Sequence, residues 1–234
     1  MELDFNNSIF WVLEIGGVDV WITETVVFTW VIMAALIFFA IIVRAKLSGF
    51  KEVPNSRFQN VVEAIIETFD NFVKGTAGPR LSFLGNWYFM VFSFLLISNM
   101  SGMIPGIRPP TADWSMTFAL ALSTFILIQA IGLKYQKGGY IKSVLLSPNP
   151  AFLPLNLIGE LARPISLSFR MFGNILAGMI LMTLMYNLAP LPVRFVFPVA
   201  LHIFFDLATA AIQTYIFCAL SLSFIGTASG LEAD

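Results

Sequence analysis

The sequence predicts an all-α fold, a polytopic transmembrane helical protein with one further helix lying on the membrane surface. Composition, segment length and the placement of basic residues lead there together. Of the 234 residues, 58% are hydrophobic and only 12% are charged, about half the charged share of an ordinary soluble domain. With a mean hydropathy of +0.83, such a chain takes lipid as its solvent.

An apolar helix of about 20 residues crosses a hydrocarbon core of about 30 Å, and five runs reach that length. They cover residues 25–43, 84–104, 114–133, 155–188 and 195–228. Arg44 and Lys46 close the first, and the Pro105-Gly106 pair ends the second. The last two exceed what a perpendicular helix needs, so they are expected to tilt, bend or lie partly flat. Between the first two, residues 56–74 repeat apolar side chains at Phe58, Val61, Val62, Ile65, Ile66, Phe69 and Val73, with Glu63, Glu67 and Asp70 opposite. This i, i+3, i+4, i+7 spacing predicts an amphipathic helix, too polar to span and placed on the cytoplasmic surface.

Orientation follows from Lys and Arg outside the spans. Arg44, Lys46, Lys51, Arg57, Lys74 and Arg80 fall between the first two, and Lys134, Lys137 and Lys142 follow the third, whereas the opposite segments carry Arg108 and Arg194. The N-terminus is therefore expected outside a cell membrane and the C-terminus in the cytoplasm. Met1 to Glu24 holds acids and no Lys or Arg, unlike the basic start of a cleavable signal, so the first span is expected to stay. No repeat divides residues 1–234, which read as a single integral membrane domain whose clearest break is Asn149 to Pro154.

A net charge of −1 gives no reason to expect nucleic acid as a partner. The lone Cys218 sits in an apolar run, which excludes an internal disulfide and predicts a packing role. No nucleophile–base pair, metal cluster or phosphate-binding glycine loop is present, so neither a metal nor a cofactor is expected.

Chemistry concentrates in the last two spans. Arg170 stands roughly midway along the fourth, where a guanidinium costs at least about 2.5–3.5 kcal/mol and cannot escape by losing its proton. It requires a carboxylate or water nearby, either as a structural ion pair within the chain or as a fixed charge on an ion path. Asn174 lies four residues on and shares its face. Ser166, Gly173 and Ala177 are small residues on that side, suited to plain helix packing or to docking a partner helix. Glu160 and Arg163, ten and seven residues before Arg170, could flank an exit path or form an i, i+3 ion pair. In the fifth span His202, Asp206, Thr209 and Gln213 fall at offsets 0, 4, 7 and 11, one helical face in an otherwise apolar segment. Groups that exchange protons alternate there with groups that hydrogen-bond, as a water-filled path needs. Phe217, by contrast, is expected to face lipid. Asn99 fits either helix packing or water access on the outer side.

The stretch from Glu160 to Asn174, GELARPISLSFRMFGN with Gly159 included, resembles the signature of subunit a of bacterial F-type ATP synthases. Ser98 to Gly106, Pro110 to Asp113 and Gln213 to Phe217 add to the resemblance, which runs from about residue 20 to the C-terminus. It implies a stator beside a ring of c subunits, with a b-subunit peripheral stalk and the remainder of the complex as partners. Two offset aqueous half-channels are implied too, together with an essential arginine at Arg170 and flanking polar positions at Asn174 and Gln213. Where the family commonly carries an acid nine positions after the arginine, this chain has Met179. Asp206 matches a position where the family uses a titratable group, so it is expected to carry much of the outer path. Proton and sodium ion both remain open as the ion. A secondary transporter would favour an inverted repeat with glycine or proline breaks in both halves, and the sequence has neither.

Overall fold

The computed structural model describes residues 9–15, 18–47, 56–104, 107–146, 149–188, 190, 198 and 201–231. Pro105-Gly106, Lys51, Arg194 and residues 195–197 and 199–200 at the start of the fifth run lie outside them. The chain is a polytopic helical membrane protein. Five helical stretches are long and apolar enough to cross a membrane, at Glu24–Lys46, Pro79–Met103, Trp114–Gln136, Pro150–Leu188 and Ile203–Ser229.

Two strands, β1 (Ile9–Ile15) and β2 (Val18–Thr23), precede them as an antiparallel hairpin. Their β-branched and aromatic runs favour extended backbone. Helix α1 (Glu24–Leu47) follows at once. It is apolar around its whole circumference and leaves Trp30, Val31, Ile37, Phe38 and Ile41 exposed, as a helix at the lipid boundary should.

The amphipathic helix α2 runs Arg57–Ala77, its Ser56 cap accepting from the Gln59 amide at 3.1 Å. It outlasts the expected end at residue 74 by three residues, up to Gly78, whose φ of +98° only glycine adopts readily. A 3₁₀ turn (Pro79–Leu84) leads into α3 (Gly85–Met100). Helix α4 (Trp114–Gln136) is capped by Asp113, which accepts from the Ser115 amide at 2.9 Å. At Lys137, φ +50°, the chain turns into a short helix α5 (Gly138–Leu145) that sequence periodicity does not reveal. Helix α6 (Leu153–Leu188) passes through Pro164, which cannot donate to the carbonyl four residues back. The last span begins as a π-helix (Ile203–Thr209) and continues as α7 (Ala210–Ser229).

The core lies where α2, α3, α4, α6 and α7 meet, around Tyr88, Leu95, Ile128, Met171, Phe217 and Leu222. Phe217 is therefore core rather than lipid-facing, because its neighbour Gln213 occupies the inward face one turn earlier. Cys218 packs in the same core. Between membrane helices apolar burial drives little association, so close packing and polar contacts carry specificity, at about 0.6 kcal/mol per hydrogen bond. A Cβ at Gly226 would stand 3.3 Å from the Ala77 Cα, which shows how tightly α7 crosses the end of α2. Thr111 donates to Asn99 Oδ1 at 2.6 Å and Asn99 Nδ2 donates to Thr214 at 3.1 Å, tying the loop before α4 to α3 and α7.

Candidate functional site

Helix α6 carries the central residues along its length. Arg170 projects from its outward face, exposed together with Ser166, Phe169 and Ala177, while Gly173 is half-buried. Among the described residues no carboxylate or hydrogen-bonding group of this chain reaches it. The intrachain ion pair left open by the sequence is not seen among the described residues. Four residues on, Asn174 is half-buried and donates through Nδ2 to Gln213 Oε1 of α7 at 2.7 Å.

The π-helix presents the next group. His202 Nδ1 and Asp206 Oδ2 are 2.5 Å apart, both partly open to a cavity of about 260 Å³. Asn174, Thr209 and Gln213 line the same cavity, as do Asn99, Arg108, Met179, Tyr186 and Asn187. The stripe read at offsets 0, 4, 7 and 11 thus converges, but over i→i+5 turns in its first half, wider than the α turns assumed from the sequence. Gln213 is the most enclosed of the four, at 5% exposure. A Cβ at Gly102 would stand 3.3 Å from the Pro109 Cγ, so the loop packs closely beside the Asp206 carboxylate.

A second cavity, of about 950 Å³, lies at the other end of α6. Glu160 and Arg163 line it together with Tyr140 and Gln136, and with Lys74 from the end of α2. Glu160 is 7% exposed. Its Oε1 meets Arg163 Nη1 at 2.8 Å, and its Oε2 accepts from Gln129 Nε2 of α4 at 3.2 Å. The Arg163 guanidinium also lies 5.0 Å over the Phe224 ring, a cation–π contact. Lys74 pairs with Asp70.

The seven candidate residues therefore sort into three places. Five surround the first cavity, Glu160 belongs to the second, and Arg170 lines neither. It stands on the outer surface about 6 Å along the helix axis from Asn174 and about 10 Å from Arg163, at about 1.5 Å per residue. Tyr140, Gln136, Tyr186 and Asn187 belong to the two linings without having been singled out, and Gln129 reaches Glu160 from α4. Of these Gln129 carried a readable signal, an amide alone in an apolar span.

Membrane-crossing helices with a cavity at each end of α6, each lined in part by titratable and hydrogen-bonding side chains, and with the exposed Arg170 guanidinium between them, define a polytopic helical membrane protein. Comparison with known proteins gives the family. Residues 26–226 match the family described as ATP synthase A chain, and the chain belongs to it. It is 34% identical over 238 residues to ATP synthase subunit a 2 of Acaryochloris marina, covering 99% of this chain and 94% of that protein. To ATP synthase subunit a of Oleidesulfovibrio alaskensis it is 37% identical over 209 residues, 84% and 87% of the two chains. A relative from Propionigenium modestum, 34% identical over 227 residues with 87% and 73% covered, is named as sodium ion specific.

Proposed function

We propose that the chain is the ion-translocating stator subunit of an F-type ATP synthase, its two cavities serving as half-channels that bring protons or sodium ions from opposite sides of the membrane to a ring of c subunits. The observation that carries this reading is Arg170, exposed and without a partner among the described residues of its own chain. A guanidinium facing lipid is costly and cannot be neutralised. A carboxylate brought by another subunit answers that need.

An ion entering the cavity of His202, Asp206 and Thr209 reaches the Asn174–Gln213 pair, within about one turn of Arg170. There it neutralises a ring carboxylate, which can then travel through lipid. On returning from the other side, the carboxylate releases its ion into the cavity of Glu160. The fixed charge of Arg170 favours the ionised carboxylate, whereas lipid favours the neutral one, so rotation alternates the two states. The same charge keeps ions from passing directly between the cavities. ATP chemistry belongs to other subunits, and the partners are the c ring, the b-subunit peripheral stalk and the rest of the complex. Residues 1–234 act as one membrane domain, with the N-terminus outside the cell membrane and the C-terminus in the cytoplasm.

Arg170→Ala and Arg170→Lys test the reading at equal membrane abundance. Both should abolish ATP-driven pumping or nearly so. Lysine keeps a cation but loses the planar fork and deprotonates when desolvated. A lysine variant pumping at the wild-type rate, or losses that merely track the amount of assembled protein, would sink it.

A further inference from the structure

Asn99 in α3 is 4% exposed, and its side-chain amide is engaged at both ends. Oδ1 accepts from the Thr111 hydroxyl at 2.6 Å, and Nδ2 donates to Thr214 Oγ1 at 3.1 Å. Thr111 and Thr214 are fully buried. Thr214 in turn donates to the Ala210 carbonyl at 2.9 Å. That commits its one proton, so its oxygen must accept from Asn99, which fixes which way round the Asn99 amide stands.

Plain packing does not require three buried polar side chains in a row. Apolar groups of similar shape would fill the space without a desolvation cost, and a hydrogen bond between membrane helices adds little stability. A fully satisfied polar chain instead specifies one arrangement and makes it rigid. The last span has a use for that where it begins. Its π-helix (Ile203–Thr209) ends at Ala210, the residue whose carbonyl Thr214 binds, and wider i→i+5 turns change the angular phase of the helix that follows. Gln213 and Thr214 are successive residues, about 100° apart around α7. Helix α6 holds the first through Asn174 at 2.7 Å, and α3 holds the second through Asn99. Bonds on two adjacent sides of one turn oppose rotation of α7 about its axis. Asn99, Thr209, Ala210 and Gln213 all line the first cavity, as does Pro109 two residues before Thr111.

We propose that Asn99 is a positioning residue of the first cavity. Through Thr214 it sets the rotation of α7 at which Gln213 meets Asn174 and Thr209 lines the cavity, and through Thr111 it holds the loop before α4 against the same wall. The inference rests on reading this cavity as an ion path.

Thr214→Val keeps the shape and removes the acceptor, whereas Thr214→Ser keeps the hydroxyl. In the intact complex, at wild-type abundance and with unchanged ATP hydrolysis by the soluble sector, valine should lower passive ion flux through the membrane sector about three- to ten-fold, the scale of one lost hydrogen bond. Serine should retain wild-type flux. Rotation is read separately, with Cys218 replaced by serine and single cysteines placed at Thr209, in the cavity wall, or at Ile212, 58% exposed on the outer side. The ratio of their labelling rates by a membrane-impermeant thiol reagent added from outside should fall about three-fold or more in Thr214→Val, a change in the accessible side of α7 that lost stability alone would not produce. Wild-type flux in Thr214→Val, an equal loss in Thr214→Ser, or lowered flux with an unchanged labelling ratio overturns the assignment. Thr111→Val breaks the other bond of Asn99 and carries the same flux expectation where Thr214→Val fails to assemble. Arg170→Ala measured alongside separates the two levels of failure. If it still pumps, the ion-path reading itself falls. If it is inactive while Thr214→Val conducts normally, the role of Asn99 alone is wrong.

Discussion

Asp206 and His202 share one short hydrogen bond at 2.5 Å, and the cavity around them places no other acid among its described lining residues. Met179 occupies the wall of that same cavity, so under the proposed function Asp206 is the carboxylate there that relays ions. Asp206→Asn preserves shape and hydrogen bonding while removing titration. Passive flux and ATP-driven pumping should both drop about ten-fold or more, the scale of losing a positioned proton-transfer group, with the complex still assembled. Equal pumping by variant and wild type across a range of pH would exclude a relay role for this residue.

At the scale of elements, the last span presents different sides to different surroundings. Thr209 and Gln213 line the first cavity, whereas Ile212 is 58% exposed on the outer side. With Cys218 replaced by serine, single cysteines at Thr209 and Gln213 should react with a membrane-impermeant thiol reagent added from outside, and one at Ile212 should not. Equal protection at all three positions would mean that the stripe is dry packing. Phe217, chosen from sequence as a lipid-facing control, could not serve, because it is wholly buried. That error shows where periodicity loses its grip. A uniformly apolar helix gives each side the same composition, and its inward face is set by polar anchors on neighbouring helices. The five spans were legible because length and apolarity are local properties, and so was the surface helix with its two-sided pattern. The hairpin was passed over although Gly16-Gly17 between two β-branched runs signals it. The π-turns of 203–209 and the eight-residue α5 depend on tertiary packing, so Tyr140 could not be placed in the lining of the second cavity from sequence. The His202 to Gln213 stripe was readable as one face, and its cavity was not, since Asn99 and Asn174 reach it from helices far away along the chain.

On the scale of the whole molecule, the outward guanidinium on α6 makes the chain an incomplete object. A subunit that buries its polar groups internally is stable in the bilayer by itself. Under the proposed function this one carries an exposed guanidinium within a membrane-crossing helix, worth at least about 2.5–3.5 kcal/mol of unfavourable insertion, until a neighbour answers it. An orphaned copy should therefore advertise its own loneliness to membrane proteases through partial exit of α6 from the bilayer. In cells lacking the ring subunit, the wild-type chain should turn over faster than an Arg170→Leu variant, as read by pulse-chase half-life. With the ring present the two half-lives should converge. Identical turnover in both settings would mean that Arg170 finds adequate solvation without a partner. If instead the wild-type chain is the shorter-lived one without the ring, Arg170, the fixed cation of the proposed ion path, is also a checkpoint on assembly, one that keeps an unpartnered half-channel from lingering in an energised membrane.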